Sequence, residues 1–155
     1  KPSKADSSLR ELVEREDFFN LSLNRVKKER SLEDVVFFKP VEGVIIDSFD
    51  LSKKHYGVDV AASKNSAIKS CLDGVVVFSD WSINGGHTII IQHDNNIVSS
   101  YMHNSILTKK KSDFVSAGEV VGVIGNSGEL SSGPHLHFEL WQSGSPINPS
   151  HYIDF

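Results

Sequence analysis

The chain has 155 residues, enough for one domain of ordinary size plus a short appendage. Hydrophobic residues make up 39% and charged residues 23%, a globular balance that excludes a disordered polypeptide. A net charge of -4 argues against a nucleic-acid binder, no apolar run reaches the length of a transmembrane helix, and the single cysteine, Cys71, excludes an intrachain disulfide and a four-cysteine zinc site.

Charge is unevenly spread. Residues 1–39 hold 17 of the 36 charged side chains, and all four arginines lie at or before Arg30. All 11 glycines lie at or after Gly43. The turn residues of a sheet are thus absent from the first part and abundant in the second. We expect a helical segment over 1–39 and a second domain over 40–155. The chain begins at Lys1, and Lys1 to Asp6 is polar. That is expected of a processed product whose signal or membrane anchor has been removed.

Ser7 to Arg30 is predicted to be a helix. Asp6, Ser7 or Ser8 caps it, and Glu11 follows Ser8 by three residues. Leu12, Phe19, Leu23 and Val26 recur at helical spacing, and charged residues fill most of the opposite face. Such a helix packs on the domain or on a partner. It lacks the sustained heptads of a coiled coil. Ser31 to Asp34 begins a turn, and Val35–Phe38 reads as a strand.

Beyond Val41 the period becomes that of strands. Val44–Ile46, Gly74–Phe78, Thr88–Ile91 and Val120–Ile124 are short β-branched runs separated by Gly, Asn, Asp and Ser. Ile97–Met102 and His135–Trp141 read as two more. No helix of ten residues is expected after Pro40. The predicted core is all-β and antiparallel.

Seven histidines carry the candidate chemistry. In His135-Leu136-His137 the two rings point to the same side of a strand. Taken alone the pair is a weak signal: the imidazoles can share a metal, divide metal binding and proton transfer between them, or simply stand on a wet strand face. In His55-Tyr56-Gly57-Val58-Asp59 a straight strand would hold the two end residues roughly 13 Å apart. Gly57 and the β-branched Val58 and Val60 disfavour a helix. A chain bent near Gly57 and entering a strand at Asp59 would instead let an imidazole and a carboxylate converge. His55, Asp59 and one of His135 or His137 then form a two-histidine, one-aspartate set. That set suits zinc and leaves a fourth position for water. The helical His-Glu-x-x-His motif is absent.

Several motifs in order resemble those of the lysostaphin/LytM-type zinc metallopeptidases, bacterial cell-wall endopeptidases. They are His55-Tyr56-Gly57-Val58-Asp59, Asp73-Gly74, Gly85-Gly86-His87, Tyr101-Met102-His103, Gly125-Asn126-Ser127-Gly128 and Gly133-Pro134-His135-Leu136-His137-Phe138-Glu139. Together they span about residues 40–150. The N-terminal segment has no counterpart in that catalytic core. The resemblance implies a compact antiparallel β-sheet peptidase domain with its site in a groove. It implies one Zn2+ per chain, held by His55, Asp59 and His137, with His103 and His135 as catalytic histidines. The implied substrates are peptidoglycan stem peptides or cross-bridges, hydrolysed at an amide bond in the periplasm or cell envelope. Two alternatives accompany this reading. One is a non-cutting or autoinhibited envelope regulator on the same fold, and the other a zinc peptidase acting on protein.

Blander readings fit the remaining residues. His93, beside Asp94, is expected to be structural or to support the site from behind. His87 starts a strand, and His151 is expected at the surface. Cys71 is expected to act as a small hydrophobe. Lys109-Lys110-Lys111 reads as a solvated turn. Among Trp81, Trp141, Tyr56 and Phe49, most are expected in the core, with Phe49 and Tyr56 able to line the groove.

Overall fold

The computed structural model describes residues 31–125 and 133–155. The helix expected between Ser7 and Arg30, and the Asn126-Ser127-Gly128 stretch, lie outside the described residues. The chain divides between Val35 and Val36 into two units. In the first, Leu32–Asp34 forms one 3-10 turn, capped where the Ser31 hydroxyl accepts the Glu33 N–H.

Among its described residues the second unit has ten strands. They are β1 (Val44–Asp47), β2 (Val58–Ala61), β3 (Ala67–Lys69), β4 (Gly74–Ser82), β5 (Gly86–Gln92), β6 (Ile97–Leu107), β7 (Phe114–Val115), β8 (Val120–Ile124), β9 (His135–Gln142) and β10 (Ser145–Ile147). The main path of the sheet runs β1-β2-β9-β6-β5-β4-β7. Every pairing is antiparallel. Beyond residue 40 the only described helices are the single 3-10 turns Leu51–Lys53 and Pro149–His151. The open, antiparallel β architecture is the one the Gly-punctuated β-branched runs predict.

Alternation along β9 sorts the sheet into two faces. Leu136, Phe138 and Leu140 are buried, while His135, His137, Glu139 and Trp141 remain partly open. The buried side joins Val58, Val60, Ile89, Ile91, Ile97 and Tyr101 in the core. Each such side chain contributes roughly 1.5–3 kcal/mol by leaving water. The partly open side of β9, with Asp59 opposite His137, forms the floor of the site.

Two expectations change. Val35–Phe38 is not a strand. It runs as an extended strap: the Phe38 N–H donates to the Cys71 carbonyl (2.8 Å), and the Phe37 ring lies 5.9 Å from Tyr152. One isolated hydrogen bond builds no ladder. The four aromatics Trp81, Trp141, Tyr56 and Phe49 are all outside the core, and Trp81 is 63% exposed. Among the described residues, the buried Phe, Tyr and Trp rings are Tyr101 and Phe138, which point inward from central strands.

Candidate metal centre and catalytic groove

His55 reaches the site because the chain folds back just before β2. Asp50 caps the 3-10 turn Leu51–Lys53 through the Ser52 N–H, and Lys54 takes a left-handed conformation (φ 57°). Asp50 and His55 then pair as an isolated antiparallel bridge. Gly57 follows because nothing larger fits: a Cβ there would lie 2.3 Å from the Phe138 carbonyl oxygen and 2.8 Å from Glu139 Cγ. This bend closes the gap that a straight strand would leave. His55 Nε2 lies 3.3 Å from Asp59 Oδ2.

His137 pairs with Asp59 across the β2–β9 ladder, and His137 Nδ1 lies 2.7 Å from Asp59 Oδ1. One donor atom from each of His55, Asp59 and His137 lies within 4.8 Å of the other two. The His55 Nδ1–H donates to the Ser48 carbonyl (2.7 Å), which leaves Nε2 as a lone-pair donor. That Nε2 is buried without a hydrogen-bond partner, yet it faces the carboxylates of Asp59 and, at 3.6 Å, Asp47. A lone pair turned toward two carboxylates is repulsive unless a cation lies between them. Two imidazoles and a carboxylate are the donor types zinc takes. The set therefore fits a divalent metal.

The electrostatics agree. Burial disfavours a charged His137, but its hydrogen bonds to Asp59 and Glu139 outweigh that and raise its pKa to about 9. Burial likewise opposes charge on Asp59 and Glu139. Their bonds to His137 prevail and hold both carboxyls below their ordinary values. Both carboxylates flanking His137 are thus held in their charged form.

Two more histidines stand beside this set. The His103 and His135 rings lie 5.1 Å apart, and the His103 ring is 6.3 Å from that of His137. The His135 Nδ1–H donates to the Gly133 carbonyl at 3.2 Å, leaving Nε2 as an acceptor. His103 sits on a bulge of β6 with left-handed backbone (φ 68°), rare for a residue with a Cβ. Its N–H donates to the Gly85 carbonyl (2.7 Å), and its own carbonyl accepts the Gly125 N–H (2.9 Å). A Cβ at position 125 would lie 2.2 Å from that carbonyl oxygen. The glycines on either side of His103 thus serve its placement. The structure brings together all five residues singled out as ligands or catalytic groups: His55, Asp59, His103, His135 and His137.

The histidines outside the groove behave differently. His93 is buried, and its Nδ1–H donates to the Asp73 carbonyl rather than to Asp94. Its Nε2 meets Ser99 Oγ at 2.6 Å, in a buried chain that continues to Tyr101 and Cys71. His87 and His151 are exposed. Lys109 pairs with Glu119 at 2.5 Å.

The sequence profile of peptidase family M23 matches residues 53–149, which contain the whole constellation. The chain belongs to peptidase family M23. It is 35% identical over 116 residues to the murein hydrolase activator NlpD of Escherichia coli K12, covering 74% of this chain and 30% of NlpD. It is 36% identical over 95 residues to the DD-carboxypeptidase/endopeptidase Mpg of Neisseria meningitidis, covering 61% of this chain and 22% of Mpg. The chain therefore spans less than a third of the length of these relatives. Among solved structures, the antimicrobial peptidase lysostaphin of Staphylococcus simulans superposes with a TM-score of 0.61 at 26% identity. That match covers 81% of this chain and 52% of lysostaphin. The M23 assignment accords with the lysostaphin/LytM resemblance carried by the motifs.

Two carboxylates of this M23 site escaped the sequence reading. Asp47 stands at the end of β1, a strand whose short apolar run gives no sign of nearby chemistry. Glu139 follows His137 by two residues, and same-face alternation on β9 could have flagged it.

Proposed function

We propose that this M23 chain is a zinc-dependent endopeptidase that hydrolyses amide bonds in peptidoglycan stem peptides or cross-bridges. The observation that carries the proposal is the convergence of His55, Asp59 and His137 on one cation position, with His103 and His135 alongside. The peptidoglycan assignment draws support from the names of NlpD and Mpg. Such a substrate lies outside the cytoplasm, so the protein works in the periplasm or cell envelope.

His55 through Nε2, Asp59 through its carboxylate and His137 through Nδ1 would hold the zinc. Zinc supplies Lewis acidity toward the scissile carbonyl and lowers the pKa of a water it binds. The protein's own groups do the rest. The Ser48 carbonyl fixes the His55 ring through Nδ1–H and directs Nε2 inward. The Gly133 carbonyl fixes His135 so that Nε2 is free to accept a proton. His103 and His135 share the remaining tasks: taking the proton of the attacking water, donating to the developing oxyanion and returning a proton to the leaving amine.

A second reading follows from the similarity to NlpD, whose name describes an activator: a regulator that binds the wall or a partner without cutting. One experiment separates the two. Purified peptidoglycan is incubated with the protein, with and without chelator, then with zinc restored, and the released fragments are analysed by mass spectrometry. New peptide termini that vanish with chelator and return with zinc establish the endopeptidase and identify the bond. Tight zinc binding without release, persisting after residues 1–39 are deleted, supports the regulator.

A further inference from the structure

We infer that Glu139 is a positioning residue for the metal centre, setting the ring orientation and proton placement of His137 and so the affinity for zinc. The inference rests on the zinc reading above. His135, His137, Glu139 and Trp141 alternate on one face of β9. The His137 Nε2–H donates to Glu139 Oε2 at 2.7 Å. The Trp141 Nε1–H donates to the other carboxylate oxygen, Oε1, at 2.9 Å. Both oxygens of Glu139 are therefore engaged, and the carboxylate is held between two ring N–H groups. Its side chain is only 15% exposed.

This arrangement has a definite consequence for His137. A ligand imidazole must present one nitrogen to the metal and carry its proton on the other. Glu139 holds the proton on Nε2 and leaves Nδ1 as the metal-binding atom, facing Asp59. A carboxylate behind the ring also raises its basicity as a ligand. The brace reaches the other histidine as well. The Trp141 ring packs 6.3 Å from Tyr56, the residue after His55. Gly57 leaves the space through which Glu139 Cγ passes. A single run of contacts thus links the two loop-and-strand segments that supply the histidine ligands.

The test is zinc affinity of the full chain, measured by competition with a chromophoric chelator. Wild type is compared with Glu139→Gln, Glu139→Ala and Trp141→Phe, and the metal-free unfolding midpoint of each is recorded. Glu139→Ala is expected to weaken zinc binding about 10- to 100-fold. Glu139→Gln keeps an oxygen that accepts from His137 Nε2–H, so its affinity should fall between wild type and Glu139→Ala. Trp141→Phe removes one bond to the carboxylate and should weaken binding less than Glu139→Ala does. Should Glu139→Ala fail to fold, the near-isosteric Glu139→Gln carries the test, with reduced affinity at an unchanged unfolding midpoint as the expected result. Affinity of both Glu139 variants within twofold of wild type overturns the inference while leaving the zinc reading standing. Loss of affinity only in proportion to a lowered unfolding midpoint, with no rescue by Gln, also overturns it. A wild-type chain that takes up no zinc overturns both.

Discussion

The proposed function divides the five groove residues into two kinds of task, and single substitutions should separate them. His137→Ala removes a donor from the cation position, so the chain should lose bound zinc, read directly by metal analysis. His103→Ala and His135→Ala should instead cut peptide release by about a hundredfold or more with zinc still bound. Loss of zinc in either variant would show that a ligand has been misassigned. Gly57 tests the geometry from the other side. Its missing Cβ faces a backbone oxygen at 2.3 Å, so Gly57→Ala must displace β9 or the His55 bend. An expected destabilisation of about 1–3 kcal/mol follows, measurable as a lower urea midpoint. The residue types of the site were legible because imidazoles and a carboxylate stood at spacings that a bent strand can reconcile. For Glu139 only the placement was legible, through same-face alternation with His137; a glutamate on a polar face looks the same in sequence whether it meets water or a ligand ring.

At the scale of elements, the bulge in β6 is the decisive feature. The strand pairs with β9 through Met102 and with β8 from Asn104 onward, and His103 turns outward at the break. Asn104 secures that break. Its Nδ2 donates to the Tyr101 carbonyl at 2.9 Å and the His87 carbonyl at 3.0 Å. Asn104→Ala would leave two carbonyls without this donor and release the left-handed turn at His103. It should lower stability by about 1–3 kcal/mol and reduce peptide release more than zinc affinity. Equal loss of both would mean that Asn104 merely supports the fold. The longer strands were readable from their β-branched runs. β3, β7 and β10, of three residues or fewer, were not. So short a run carries no periodicity, and its pairing is set by the neighbour it meets.

At the scale of the molecule, the boundary and the buried polar chain make separate predictions. The fragment 36–155 should fold cooperatively and bind zinc. The fragment 40–155 lacks the Phe38 N–H bond to the Cys71 carbonyl. It should be less stable by about 1 kcal/mol, read as a lower thermal midpoint. Equal midpoints would place the boundary at residue 40. His93 adds a pH dependence. Burial lowers its pKa from 6.5 to about 4, against the opposing pull of the Asp73 carbonyl. Between those values the unfolded chain binds the extra proton. The stabilisation is therefore complete above pH 6.5 and is lost as pH falls toward 4. The share of His93 is a drop of about 2 kcal/mol between pH 7.5 and pH 5, read as the difference between wild type and His93→Gln in urea unfolding with chelator present, because the raised pKa of His137 adds stability in the opposite sense over this window and cancels in the difference. A difference that does not change with pH would mean that His93 ionises freely in the folded state.

Strand periodicity and glycine placement sufficed for the fold class, and the family resemblance carried by the ordered motifs supplied the family and the five groove residues. These are local properties, carried by neighbours along the chain or by short fixed spacings. Other features needed distant segments to meet. The convergence of His137 on Asp59 depends on β2 pairing with β9, 78 residues later in the chain. The outward placement of Trp81, the strap at Phe38 and the Glu139 brace likewise depend on which chain packs alongside. Burial and hydrogen bonding are settled by contacts between segments far apart in sequence, and no pattern within one segment encodes them.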